Sequence, residues 1–343
     1  MTPSTPWRLA VVLAAGSALL AGCRSNTPSA AAPQAAETAA AAVSTVQPTA
    51  MVAASATAAA VAVLPGGWQS FGVAGTDPGQ MILPFDVAAD GQGSLYVSDS
   101  TGVSRYRRDG SFVSRIGEGR IKRAEGLAVG PQGEVYVAGN GSRIEVYGAD
   151  GTFLRDIGTV GTDAGQLVKP VDLAFDGRGR LHVVDVGNRR VEIFDPAGRH
   201  LGSVGGPGEQ SGQFTAPRSI ALDALDRLYV GAGDEFLVQR FNPDGTYLDT
   251  FGNGNLDETL YRVGGLAADG SSRIFVSQVT RHMVQAFDIG GQGRPRLLWE
   301  MGGEPGAGAQ SFNSPGGLAI DDGRLYVADT RNNRIASFDI AEP

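Results

Sequence analysis

Between residues 171 and 205, apolar and polar positions alternate in short runs cut by turn residues. Val171-Asp-Leu-Ala-Phe is followed by the turn Asp176-Gly-Arg-Gly, then by Arg180-Leu-His-Val-Val and by Arg190-Val-Glu-Ile-Phe. Asp195-Pro-Ala-Gly turns the chain into a fourth run that ends at Val204-Gly205. A period of two with Asp, Asn and Gly at the breaks predicts four antiparallel strands joined as hairpins. Asn242-Pro-Asp-Gly, Arg108-Asp109-Gly110 and Asp150-Gly151 occupy the same hairpin position elsewhere, and a glycine closes the fourth run at Gly117, Gly158, Gly205, Gly252 and Gly302.

The unit recurs six times. Equivalent second-strand positions are Tyr96, Tyr136, His182, Tyr229, Phe275 and Tyr326, spaced by 40, 46, 47, 46 and 51 residues. Such a period with several short strands per copy predicts propeller blades. The sixth copy stops after its third strand, near Ile340, while Trp68-Gln-Ser-Phe-Gly72 aligns with Leu298-Trp-Glu-Met-Gly302. The N-terminal strand is therefore expected to complete the last blade and close the ring, which removes open sheet edges without disulfides. The fold class is all-β, a six-bladed β-propeller over 65–343, and no residues remain for a seventh blade.

Two further patterns repeat. Gly79-Gln80-Met81, Gly165-Gln166-Leu167, Gly212-Gln213-Phe214 and Gln310-Ser311-Phe312 each precede a proline by three residues, at Pro84, Pro170, Pro217 and Pro315. The apolar residue is expected to plug between neighbouring blades while proline fixes the entry of the inner strand. The connectors into blades 2 and 5, at 118–125 and 253–264, lack the pattern. After the second strand, Asp185-x-x-Asn188-x-Arg190 matches Asp329-x-x-Asn332-x-Arg334 in spacing, and Asp99 holds the same place in blade 1. These carboxylates are expected to accept amides of the loop joining strands two and three, with Arg190 or Arg334 as ion-pair partner. Connector and loop together resemble the NHL repeat family, most clearly over 170–194 and 315–338.

Composition enters where it narrows the class. The chain has 343 residues, 50 of them glycine, and a formal net charge of −8, with no basic patch interleaved with aromatics, so nucleic acid is not an expected partner. The single cysteine, Cys23, follows one arginine, Arg8, and an apolar run from Leu9 to Leu20 too short to span a bilayer. Leu20-Ala-Gly-Cys23 resembles a bacterial lipobox, which implies a signal peptide at 1–22 and a lipidated Cys23. Arg24, where an Asp would mark inner-membrane retention in such proteins, points to the outer membrane of the cell envelope. Residues 24–64 are Ala-, Ser-, Thr- and Pro-rich, so 23–64 reads as a flexible tether with a reach of roughly 35 Å.

Candidate chemistry lies where the inner strands enter the central channel. Around the ring run Asp86, Gly126, Asp172, Ser219, Gly265 and Gly317, preceded by Phe85, Glu125, Val171, Arg218, Gly264 and Gly316. Asp86, Glu125 and Asp172 facing Arg218 could hold a divalent cation such as Ca2+ or a cationic ligand, with Asp86 and Asp172 as the metal ligands. The plain alternative is that they bond to water and backbone at a polar channel mouth. The resemblance implies that some six-bladed relatives are enzymes, gluconolactonase-like metal hydrolases and zinc-dependent peptide-amidating lyases. Glu125-Gly126 is similar to the Glu-Gly of the lactonase type but stands in another blade, and His182, His200 and His282 fall at three different levels. The expected function is a lipid-anchored binding scaffold, a monomeric propeller presenting one face to a protein, peptide or glycan of the envelope. The rival is a metal-dependent hydrolase or lyase at the channel mouth.

Overall fold

The computed structural model describes residues 66–340 except 140, 233–236, 253–259, 271 and 291–293. The expected signal peptide, Cys23 and the tether lie outside the described residues. The chain divides into two units, Met1–Ala58 and Ala59–Pro343, and the described residues all belong to the second.

Six four-stranded antiparallel sheets follow one another along this unit, as the alternation predicts. Blade 3 consists of Pro170–Phe175, Leu181–Asp185, Arg190–Phe194 and His200–Gly205. The other inner strands are Asp86–Ala89, Leu127–Val129, Pro217–Leu222, Val263–Ala268 and Pro315–Asp321, each packed against the next. The inner strand of blade 6 in turn meets that of blade 1, which closes the ring. The closing strand is Gln69–Phe71: it pairs antiparallel with Arg334–Asp339, Gln69 opposite Ser337 and Phe71 opposite Ile335. Arg108 of blade 1 reaches Asp321 at 2.6 Å and Asp322 at 2.7 Å of blade 6, tying the two sides of the seam.

The core lies between blades rather than within them. Tyr136 and Ile157 of blade 2 pack with Leu173 and Val183 of blade 3 around Leu167 of the connector. Met81, Phe214 and Phe312 fill the equivalent interfaces with almost no exposure. Each of these connectors folds back into a small parallel bridge, as between Pro207 and Phe214. The two connectors without the sequence pattern supply a plug as well, Ile121 between blades 1 and 2 and Leu260 between blades 4 and 5.

The plug explains the glycine that ends the fourth strand. At Gly205 the backbone has φ 77°, and a Cβ there would stand 2.2 Å from the Phe214 ring; at Gly158 (φ 78°) it would stand 2.7 Å from Leu167. Only glycine both adopts the left-handed turn and leaves room for the plug beneath it.

Candidate functional site

The six residues Asp86, Gly126, Asp172, Ser219, Gly265 and Gly317 form one level of the central channel, and here the inner strands crowd together. A Cβ at Gly126 would lie 2.6 Å from the Asp172 Cα, and one at Gly265 2.6 Å from the Gly317 Cα. Bulges shift the register between Pro170 and Asp172 and between Pro217 and Ser219, so the strand entrances depart from the ladder. This level is a throat: Asp86 and Asp172 line both the cavity of about 320 Å³ at the mouth and the channel of about 290 Å³ beyond.

Both throat carboxylates are latches between blades. Asp86 accepts the Val87 amide on Oδ1 at 2.8 Å and the Leu127 amide of blade 2 on Oδ2 at 2.8 Å. Asp172 does the same with Leu173 at 2.8 Å and with Ile220 of blade 4 at 2.9 Å. Serines stitch neighbouring positions, as where Ser98 donates to the Glu125 carbonyl and Ser277 to that of Gly316. Burial pushes Asp86 up to about 7, against the pull of its two amides. Burial and the negative charge of Asp86 together hold Asp172 well above the usual carboxylate range.

The four residues singled out from the sequence, Asp86, Glu125, Asp172 and Arg218, do line one cavity. They are not a set of convergent carboxylates. Glu125 is held by Arg123 at 2.8 Å, and among the described residues no three His, Cys, Asp or Glu side chains stand close enough to hold a metal ion. The donor set therefore fits the expected divalent cation poorly: an ion on Asp86 and Asp172 would compete with four backbone amides for their oxygens.

The mouth also carries three arginines that the sequence reading missed, Arg123, Arg262 and Arg331. Arg123 and Arg262 lie two residues before Glu125 and Gly264, so one more step of strand period outward would have found them. Arg331 sits in the loop after Asp329, which is a scaffold element.

The Asp-x-x-Asn-x-Arg loops have the expected structural role and reach further than expected. Asp185 accepts the amides of Val168 at 2.9 Å and Lys169 at 2.8 Å, ahead of the inner strand, and the Asn188 side chain at 2.7 Å. Asp99 accepts Ile82 and Asp329 accepts Asn313 in the same way, while Asn332 bonds Asp329 at 2.8 Å. Arg334 pairs with Asp329 at 2.7 Å, as expected. Arg190 does not pair with Asp185: its Nε lies 2.5 Å from Glu192, and its other nitrogens donate to the connector carbonyls of Thr162 and Asp163.

The histidines stay apart. His182 bonds Asp176, and His282 accepts the Ser314 amide. His200 and Ser203 both bond the same Glu192 oxygen, at 2.8 and 2.6 Å, and lie 3.4 Å from each other, so the carboxylate holds the serine hydroxyl more closely than the imidazole does. That order is unlike a nucleophile activated by a base.

The NHL repeat family matches residues 312–338, from the plug Phe312 through the three C-terminal strands of blade 6. No curated protein matches the sequence. Among solved structures, a streptogramin B lyase is 12% identical over 80% of this chain and 98% of its own, with a TM-score of 0.56. A gluconolactonase from Xanthomonas campestris is 19% identical over 76% and 86%, with a TM-score of 0.54. A chain of a nidogen/laminin complex is 20% identical over 60% and 76%, with a TM-score of 0.50. At these identities the likeness is one of fold.

Proposed function

We propose that this propeller is a binding scaffold of the cell envelope, anchored through a lipid on Cys23, that recognises a protein, peptide or glycan at its channel mouth. The observation that carries this reading is the mouth itself. There side chains from all six blades differ over a repeating frame, and the acids that could drive chemistry are engaged in holding blades together. A photo-cross-linking residue at Leu83, which is 39% exposed and lines the mouth, is expected to capture a partner in intact cells. The same residue at Leu201, 44% exposed on the fourth strand of blade 3, is expected to capture none. Capture from Leu201 alone would move recognition to the blade edge and defeat the proposal.

The anchor has its own test. Cys23→Ser is expected to lose incorporated palmitate and to leave the membrane fraction; a variant that stays with the membrane would refute lipidation at this residue.

A metal-dependent hydrolase or lyase at the same mouth is the second reading, favoured by the place of Asp86: its carboxyl lines the cavity where burial pushes it up to about 7, an acid strength suited to proton transfer near neutrality. Mass spectrometry of the purified protein separates the two. A stoichiometric divalent ion that disappears in Asp86→Ala/Asp172→Ala would favour the enzyme reading and direct lactone and ester substrates to be assayed, and the scaffold reading expects none.

A further inference from the structure

We propose that the channel mouth binds a small anionic ligand, a carboxylate- or phosphate-bearing molecule about the size of one sugar residue, through Arg218, Arg262 and Arg331. This rests on the reading of the mouth as the recognition face and names what is recognised there.

Positive charge is gathered around one concave mouth. The chain as a whole carries −8, yet four arginines from four blades line one cavity of about 320 Å³. That volume suits a ligand at the small end of the usual range. The three acids on the same wall do not neutralise the arginines. Glu125 takes Arg123, and the throat carboxylates bond backbone amides in surroundings that favour their neutral form. Arg262 and Arg331 have no side-chain partner among the described residues, while Arg218 acts on Asp172 through its charge alone, a pull that burial outweighs; all three line the cavity.

Two of the three stand on fixed backbone. Arg262 has φ 37°, a left-handed conformation that a long side chain rarely adopts, and its carbonyl is held by the Val279 amide at 3.1 Å. Backbone held in such a region over-determines where the side chain starts. The Arg331 amide donates to the Asn313 carbonyl at 3.0 Å, inside the loop that Asp329 braces. The guanidinium fork matches the paired oxygens of a carboxylate or phosphate, which is why arginine rather than lysine suits this task.

The test is calorimetric titration of the full-length chain with glucuronate, inorganic phosphate and glucose. Glucuronate, phosphate or both are expected to bind and glucose is not; which anion binds identifies the charged group. Arg262→Ala/Arg331→Ala, at two exposed positions, is expected to weaken binding roughly tenfold or more while the melting temperature stays put. Heat from neither anion, equal binding of glucose, or unchanged affinity in the double variant would each overturn the proposal. If the anions fail while cross-linking from Leu83 persists, the ligand class falls and the mouth remains the recognition face. If both fail, the recognition reading falls with it.

Discussion

A chain that begins at Val73 is expected to lose its cooperative unfolding transition and to associate in solution. Of the described residues this removes 66–72, which contain the outer strand of blade 6 and two aromatic anchors. Trp68 stacks on Phe338 with ring centres 6.0 Å apart and planes at 7°, leans on Phe312 at 5.5 Å, and lies under Arg334 at 5.6 Å. Phe71 packs on Tyr106 of blade 1 at 5.2 Å, so the strand reaches the cores on both sides of the seam. A fully buried tryptophan or phenylalanine is worth about 3–5 kcal/mol; these two are partly buried and each is worth less, but losing both together with the strand pairing is a large fraction of the stability of a domain. The deletion also uncovers the edge of Arg334–Asp339, an open template for another chain. Circular dichroism melts and gel filtration check this. A monomer melting within a few degrees of the full chain would mean that the inner-strand contacts alone hold the ring shut.

The second large effect is of pH, and its sign is unusual for carboxylates. Asp86 ionises near 3.8 in the unfolded chain and at about 7 in the fold, and Asp172 is shifted in the same direction. Between those values the folded state binds more protons than the unfolded one. Stability is therefore greatest toward the acid end of this window and falls as pH rises from about 4 to 7. Asp86 alone accounts for roughly 2–4 kcal/mol across that range. Below it the trend reverses, because Asp176 is held under the ordinary carboxylate range: burial pushes it up, but bonds from His182 and Arg180 outweigh burial. Melting temperatures from pH 4.5 to 8 are expected to decline, and the decline is expected to flatten in Asp86→Asn whatever that variant does to stability at one pH. A flat or rising profile in the parent protein would show both throat carboxylates ionised throughout.

What the sequence made legible was whatever a short stretch determines by itself. Strand alternation, hairpin turns and the period are local, and the closing strand was visible because Trp68 to Gly72 matches Leu298 to Gly302 as a string. The plugs at Ile121 and Leu260 were not legible. No local pattern marks them, and their burial is imposed by the two blades they separate. Arg190 shows why a shared motif misleads about a contact. Glu192, two residues on and on the same strand face, competes for it, while the oxygens of Asp185 already receive amides. Arg334 has Ala336 at the matching place and turns to Asp329 instead. At the mouth, the four residues picked by position along the inner strands line one cavity. It could not show that Glu125 would be taken by Arg123, nor that Arg262 would start from left-handed backbone, because both depend on loops whose course is set by neighbouring blades.

The seam has one more consequence. The Asp339 amide donates to the Gly66 carbonyl at 3.0 Å, so the two places where the chain enters and leaves the ring touch. A short peptide link between them would make the propeller endless, and new termini could then be opened in an exposed turn such as Asp195-Pro-Ala-Gly198 without unpairing a strand. Which blade comes first is thus a matter of where the circle happens to be cut. The architecture itself is cyclic, and the order of its parts along the chain is one permutation among several that would build the same mouth.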